Sequence, residues 1–318
     1  MSAQTLDMFI NESVKQLIEA STTVPAQSGP PRVSALTAEE FEQDAIRLAA
    51  HFLGLPGSDL PTRRELTSAE IAGLQSLIDR RADGVPVGHL TGSAVLGGVT
   101  VAVGPGVFVP RVHSERVLAH SLAAIEGVPH PLVIDLCTGT GAVALAVAHA
   151  RPDATVHAVD IDALALDYAR RNSERQVAAG DTAIVLHDTD VTDPDLLSEL
   201  DGTVDLLVAL PPFMQDGDVS WLPAEFSEHQ PTQAIFSGPD GLDVTRHIVT
   251  AAARLLRPGG TCVIEHGALH GESLPEILRD QGSFENITGY PDTAGWPLYV
   301  AATRKIASPD PHYEAATS

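Results

Sequence analysis

Residues 131–160, PLVIDLCTGTGAVALAVAHARPDATVHAVD, constrain the fold more than any other stretch of this chain. Residues 132–136 form a short apolar run with Asp135 at its end, one residue before Leu136, which reads as a buried parallel strand. A turn bearing Gly139 and Gly141 follows. Residues 141–150 are then rich in Ala, Val and Leu at helical length, and a second β-branched run at 155–159 stops at Asp160. The pattern predicts a strand–turn–helix–strand unit with an acid at the tip of each strand. In open α/β sheets ligands bind outside the carboxyl ends of the strands, so the turn and both acids are expected to face one crevice.

Two ligands compete for that crevice. Gly139-Thr140-Gly141 with Ala144 fits the dinucleotide pattern G-x-G-x-x-A, and Asp160 falls near the usual offset of a ribose-binding acid. That match alone is weak. Asp135 discriminates better, because it would set a carboxylate beside a pyrophosphate, whereas S-adenosylmethionine has no phosphate and carries a cationic amino group and a sulfonium. Coulomb's law favours the sulfonium cofactor. Either acid alone reads equally well as a helix cap or a strand end in water, but the pair with two glycines points to a nucleoside site.

The 318 residues, 44% of them hydrophobic, can bury a large core and suffice for two domains. With 42 acids against 19 bases the formal charge is −23, which argues against a nucleic-acid partner, since phosphate contacts need Lys and Arg. Cys137 and Cys262 each fall on or beside a predicted central strand and are expected as free buried thiols. No disulfide framework or zinc spacing is present, so no metal is expected and a reducing, cytoplasmic setting fits. No apolar stretch reaches the length of a membrane span, and the N-terminus lacks the charged start and apolar core of a signal peptide, so no membrane partner is expected.

Upstream of the nucleotide unit, residues 5–20 have helical spacing, and residues 21–34, with three prolines, read as a linker or mobile loop. A second helix starts at Thr37 with Glu40 completing a capping box, carries Phe41, Ala45, Leu48 and Phe52 on one face and stops at Gly54. A third covers about 68–81. Together they predict a helical N-terminal domain over 1–84, whose cap near the crevice could also select the acceptor. A β-hairpin connector is expected over 85–110, a helix from Pro110 through 122, the cofactor-binding domain over 111–306 and a disordered tail over 307–318.

Downstream, a helix at 163–178 leads to a strand at 183–186 tipped by Asp188-Thr189-Asp190, where an acid could accept the adenine amino group or form a solvated turn. The apolar strand at 204–209 ends in Leu210-Pro211-Pro212-Phe213, whose prolines fix a rigid extended turn in the crevice. Residues 215–237, with Trp221, read as a loop over the site. A helix at 244–256 closed by Pro258-Gly259-Gly260, a strand at 261–264 tipped by Glu265-His266, and strands at 284–290 and 298–304 complete a mostly parallel sheet.

DLCTGTG, the strand ending in PPF, GPDGLDVTRHI, LLRPGG and EHG follow one another as they do in the HemK/PrmC methyltransferases, which the chain resembles over about residues 37–304, PVGHLTG and VFVPRVHSE included. The resemblance implies a class I methyltransferase: a Rossmann-like, mostly parallel seven-stranded α/β sheet behind a small helical domain. It implies S-adenosylmethionine as cofactor and methylation of a glutamine side-chain amide in peptide-chain release factors. By position, Asp135, Gly139, Thr140 and Gly141 correspond to its cofactor loop, Asp160 with Ile161 to the ribose-binding tip, and Asp190 to the residue beside adenine.

The departures lie in the acceptor region. Where the family has Asn-Pro-Pro-Tyr, this chain has Leu210, Pro211, Pro212 and Phe213; Gln230-Pro231 stands for Glu-Pro, and Pro110-Arg111-Val112-His113-Ser114-Glu115 for Pro-Arg-Pro-Glu-Thr-Glu. An amide nitrogen is a poor nucleophile because its lone pair is delocalised, and the family's Asn, which accepts an amide N–H, is replaced by a residue that accepts none. The first expectation is therefore a methyltransferase with a small-molecule or otherwise diverged acceptor. The alternatives are the release-factor methyltransferase itself and a non-catalytic S-adenosylmethionine-binding protein. His113, Glu115, Gln230 and His266 lie near the crevice on the family's map, and each reads more readily as structural or solvated than as catalytic.

Overall fold

Capping chemistry sets the ends of the first helices in the computed structural model, which describes residues 4–22, 37–57, 60–217 and 222–306. The N-terminal helices are α1 (Leu6–Thr22), α2 (Ala38–Leu53), α3 (Ser68–Ala82) and the short α4 (Val87–Thr91). Thr37 and Thr67 each accept the N–H of a glutamate three residues on, Glu40 and Glu70, whose carboxylates return to the threonine N–H. Each such box contributes about 1 kcal/mol. Gly54 then ends α2 in the left-handed region at φ 66°. Leu6, Phe9 and Leu17 of α1 share one core with Phe41, Ala45 and Leu48 of α2 and Leu74 and Ile78 of α3. Phe52, expected on that face, is 39% exposed. Its ring lies over Gly73, where a Cβ would come within 2.3 Å of it.

The same unit holds Arg81, only 6% exposed, whose guanidinium donates to Asp44 at 2.8 Å and to Glu225 at 3.0 Å. Phe108 packs beside Phe226, and Gln230 Oε1 accepts the Val109 N–H at 3.2 Å. The unit thus comprises Met1–Ala94, Thr100–Val109 and Gly217–Ile235, and the other comprises Val95–Val99, Pro110–Asp216 and Phe236–Ser318.

The expected connector holds α4 as well as a hairpin, β1 (Ser93–Leu96) and β2 (Val99–Ala102). Its turn falls at Gly97 and Gly98, with φ of 56° and 78°, the left-handed pair that a tight hairpin requires. The remaining elements are α5 (Ser114–Ala124), β3 (Leu132–Leu136), α6 (Ala142–Ala150), β4 (Thr155–Asp160), α7 (Ala163–Ala179), β5 (Val185–Asp188), β6 (Val204–Ala209), α8 (Ala224–Ser227), α9 (Asp243–Leu255), β7 (Leu256–Glu265), α10 (Ser273–Gln281), β8 (Phe284–Pro291) and β9 (Pro297–Arg304).

Seven strands form one sheet in the order β5-β4-β3-β6-β7-β9-β8. β5, β4, β3, β6 and β7 run parallel, and β9 is antiparallel to both of its neighbours. The chain winds outward from β3 to β4 and β5, then returns to the far side of β3 for β6 and β7. The order therefore reverses between β3 and β6, where an open α/β sheet parts to form a crevice. Ile134, Leu136, Leu207, Ala209 and Ile264 build the core under α9 with Ile248, Ala252 and Leu255.

Several boundaries differ from expectation. α5 begins at Ser114 rather than Pro110, and β5 runs two residues later than its apolar run suggests. Pro258, Gly259 and Gly260 do not close α9 but lie inside β7. The register against β6 shifts there, because Gly259 takes φ 81° and a Cβ on Gly260 would meet the Val204 carbonyl at 2.7 Å. Residues 215–237 include α8, so they are not wholly irregular. Ser21 and Thr22 belong to α1, while 23–34 of the expected linker, Trp221 and the expected tail at 307–318 lie outside the described residues. Both cysteines are free: Cys262 is buried on β7 and Cys137 is half-buried. Among the described residues no helix is long and apolar enough to cross a membrane, and no group of three or more His, Cys, Asp or Glu side chains is placed to hold a metal.

Candidate functional site

The turn after β3 is held by the acids at the tips of β3 and β4. Cys137, Gly139 and Gly141 all take left-handed backbone, at φ 60°, 57° and 82°. The Gly139 N–H donates to Asp160 Oδ2 at 2.7 Å and the Asp162 N–H to Asp160 Oδ1 at 2.9 Å, so one carboxylate ties the β4 tip to the glycine turn. A Cβ placed on Gly139 would meet nothing within 4 Å, which leaves the turn open for close approach by a ligand. Gly141 instead packs on Ala169 of α7, at 3.2 Å from a built Cβ.

Asp135 is 1% exposed. The Thr138 hydroxyl donates to its Oδ2 at 2.6 Å and the Ala144 N–H to the same oxygen at 3.1 Å, while Oδ1 is buried without a hydrogen-bond partner. Burial raises its pKa to about 7, against the pull of those two donors. Burial also raises Asp160, and the Cys137 thiol is pushed well up, by burial first and then by Asp160, Asp135 and Asp190. Cys137 is thus faced by three acids. A further anion would add to their repulsion and a cation would relieve it. The donor set therefore fits S-adenosylmethionine: an orphaned buried carboxylate oxygen, an acid at the next strand tip, an open glycine and, among the described residues, no basic group acting on Cys137. Ile161, 59% exposed beside Asp160, adds apolar surface, and Asp190, half-buried past the end of β5, accepts the Thr192 N–H at 2.8 Å in a local turn.

The second turn leaves from the neighbouring strand. Leu136 and Ala209 are register partners, and the Leu210 N–H donates to the Leu136 carbonyl at 3.4 Å, which puts both turns at the switch point. Pro211 and Pro212 are buried and Phe213 half-buried. Because neither proline has an N–H, the turn offers carbonyl oxygens without matching donors. Two glycines shape it from below. A Cβ on Gly241, at φ 76°, would come 2.3 Å from the Phe213 carbonyl oxygen, and one on Gly267 would meet the Phe213 ring at 2.9 Å.

At the tip of β7, Glu265 Oε2 accepts the Ser114 hydroxyl at 3.0 Å, and burial raises its pKa to about 7 although Arg111 opposes the shift. His266 is buried and stays neutral, its pKa lowered to about 4 by burial; Nδ1 donates to the Gly267 carbonyl at 2.8 Å and Nε2 has no partner. Glu115 accepts the Gly97 N–H at 2.9 Å, a bond that pins the hairpin to α5. Gln230 belongs to the helical unit, and His113 is half-buried. Sequence reasoning missed the Ser114–Glu265 pair and the support of Phe213 by Gly241, although GPDGLD gave a signal for the second: a glycine just ahead of a helix. It also missed Asp162 as the cap that accepts the Leu164 N–H at the start of α7.

A family model described as PrmC N-terminal domain matches residues 33–92, and one described as Methyltransferase small domain matches residues 98–226. The chain is 42% identical over 294 residues to the release factor glutamine methyltransferase of Mycolicibacterium smegmatis, covering 92% of this chain and 98% of that one. It is 37% identical over 297 residues to the protein of the same description from Mycobacterium tuberculosis, covering 92% of each. Among solved structures it is similar to the T. Thermophilus 16S rRNA N2 G1207 methyltransferase at 24% identity and TM-score 0.48, over 67% of this chain and 50% of that one, a likeness too loose to bear on the acceptor.

Proposed function

Because the chain belongs to the HemK/PrmC family of S-adenosylmethionine-dependent methyltransferases, we propose that it methylates the side-chain amide of a glutamine in a peptide-chain release factor. The observation that carries the reading is the extent of the relationship, which runs through both the helical segment and the methyltransferase segment of a relative described by that activity. The small-molecule acceptor expected from the changes at Leu210, Phe213, Gln230 and residues 110–115 finds no support among the relatives. Those changes weigh less than a match along nearly the whole chain. A release-factor acceptor also sets the reaction in the cytoplasm.

The cofactor, when bound, supplies an electrophilic methyl group on a sulfonium. Asp135 Oδ1 would take the cationic end, Asp160 the ribose hydroxyls, and Gly139, Thr140 and Gly141 the close approach of the nucleoside, with Ile161 and Asp190 beside the base. Leu210, Pro211, Pro212 and Phe213 would position the acceptor amide. The carbonyls of the turn accept an N–H, the prolines hold those carbonyls still, and Phe213 covers the amide plane and keeps water out. Lacking one well-placed acceptor costs about 2 to 4 kcal/mol in a transition state, or roughly two to three orders of magnitude in rate, unless another group supplies it.

The test is incubation of the protein with S-adenosylmethionine and the release factor of its own source, followed by mass spectrometry of the acceptor peptide. One added methyl on a glutamine is the expected result. An unmethylated release factor, with methyl turnover on a pool of small metabolites, would overturn the reading.

A further inference from the structure

Glu265 is a buried carboxyl at the tip of β7, beside the crevice. Ser114 holds its Oε2, and among the described residues Oε1 has no hydrogen-bond partner. Its position follows from the register. Ala209 and Ile264 are partners on the parallel strands β6 and β7, so the next residues, Leu210 and Glu265, leave the two strands side by side and on the same face. Asp135 shares that face, since its partner on β6 is Val208, two residues before Leu210. The carboxyl therefore stands next to Leu210, the residue that fills the place of the family's Asn with a side chain that has no polar atom.

We infer that Glu265 accepts an N–H of the acceptor amide and so supplies the polar contact that Leu210 lacks, an inference that rests on the amide acceptor proposed above. A primary amide has two N–H donors, and the turn's carbonyls serve one. A carboxylate is acceptor-only and makes the stronger, charge-assisted bond to the other. The Ser114 hydroxyl fixes the carboxyl rotation so that Oε1 is the oxygen left for the substrate, and the Leu210 side chain keeps water from competing for it. The groups facing Glu265 are Ser114 and Arg111 at the entry to α5, Leu210 just past the end of β6, and Tyr299 on β9, the cross-strand partner of Glu265. Of the charged ones, Arg111 favours the ionised carboxyl that the role requires.

The first test needs no turnover. Glu265 is followed by carbon-13 NMR of labelled glutamate carboxyls, assigned with Glu265→Gln, with S-adenosylhomocysteine present and with or without the release factor. An N–H donor on Oε1 stabilises the charged form, so the release factor should lower its pKa by about one unit. The second test is a double-mutant cycle on single-turnover methylation. Glu265→Met should slow it about a hundredfold with affinity for S-adenosylhomocysteine unchanged, and Leu210→Asn added to that variant should restore about tenfold or more, because an acceptor on either strand tip suffices. Ser114→Ala, which frees the carboxyl to rotate, should fall between, with its melting temperature as a check on folding. A titration unmoved by the release factor, together with a Glu265→Met loss that Leu210→Asn leaves unrepaired, would mean that Glu265 only anchors α5 and would overturn the inference. Absence of methylation by the unmodified protein would instead strike the amide reading itself, so the two failures are distinct.

Discussion

Thr138 donates its hydroxyl to Asp135 Oδ2 at 2.6 Å, and the Ala144 N–H shares that oxygen, so the carboxylate closes the turn between β3 and α6 through one atom and leaves the other unused. Asp135→Asn can keep both bonds by presenting its amide oxygen there and setting an NH₂ group where Oδ1 was. The fold should survive, while affinity for S-adenosylmethionine and S-adenosylhomocysteine falls about tenfold or more as the charge is lost. Calorimetry against both ligands decides, and unchanged affinity would reduce Asp135 to a structural clasp.

The same substitution changes how stability depends on pH. Burial raises the Asp135 pKa from 3.8 to about 7, so between those values the native state keeps a proton that the unfolded chain releases. Stability of the ligand-free protein therefore falls as pH rises through that window. Asp135→Asn should lessen the slope and gain on the unmodified protein at pH 8 relative to pH 5, by about 1 kcal/mol or more. Glu265, raised to about 7 in the same direction, keeps part of the slope. Urea unfolding at the two pH values measures it.

Asp160→Ala removes the acceptor for the Gly139 and Asp162 N–H groups as well as the proposed ribose contact. Affinity for S-adenosylhomocysteine should drop about tenfold to a hundredfold, and Asp160→Asn, which restores one acceptor, should recover part of it. Equal affinities for all three proteins would exclude the contact.

Gly241→Ala should separate the two turns. Its φ of 76° and the 2.3 Å approach of a built Cβ to the Phe213 carbonyl mean that the acceptor turn must shift, while the cofactor acids are untouched. The expected outcome is unchanged affinity for S-adenosylhomocysteine with methyl transfer slowed about tenfold or more. Equal losses in both would show that the change spreads through the sheet.

Arg81→Ala leaves Asp44 and Glu225 without their shared counter-ion in a buried setting. Loss of this buried counter-ion should destabilise the helical unit by about 3 kcal/mol or more, read as an earlier unfolding transition in denaturant. A loss below about 1 kcal/mol would mean that water reaches the pair.

The parts of the fold written in local rules were legible from the sequence. The capping boxes at Thr37 and Thr67 need only a threonine and a glutamate three residues on, and β3, β4 and β6 announce themselves as apolar runs because parallel strands are covered on both faces. Asp135, Gly139 and Asp160 could be singled out because a strand–turn–helix–strand unit brings its tips together through short connections. What escaped reading was set by partners distant in the chain. Ser114 meets Glu265 across 151 positions, and no spacing rule reaches so far. β7 absorbs Pro258-Gly259-Gly260 because a bulge against β6 accommodates them, although the same residues in isolation would end a helix. Phe52 follows the helical period yet lies partly in solvent, because its place over Gly73 is decided by the shape of the neighbouring helix.

Each unit is assembled from three separate stretches of chain, and Gly217–Ile235, between the acceptor turn and α9, belongs with the helices rather than with the sheet. Neither unit is a cassette. Cutting the gene at residue 110 would strip Glu225 of Arg81, Phe226 of Phe108 and Gln230 of Val109, and grafting a foreign N-terminal half would have to bring its own matching insertion. Exchange of a whole domain at that point would therefore break contacts inside the helical unit itself.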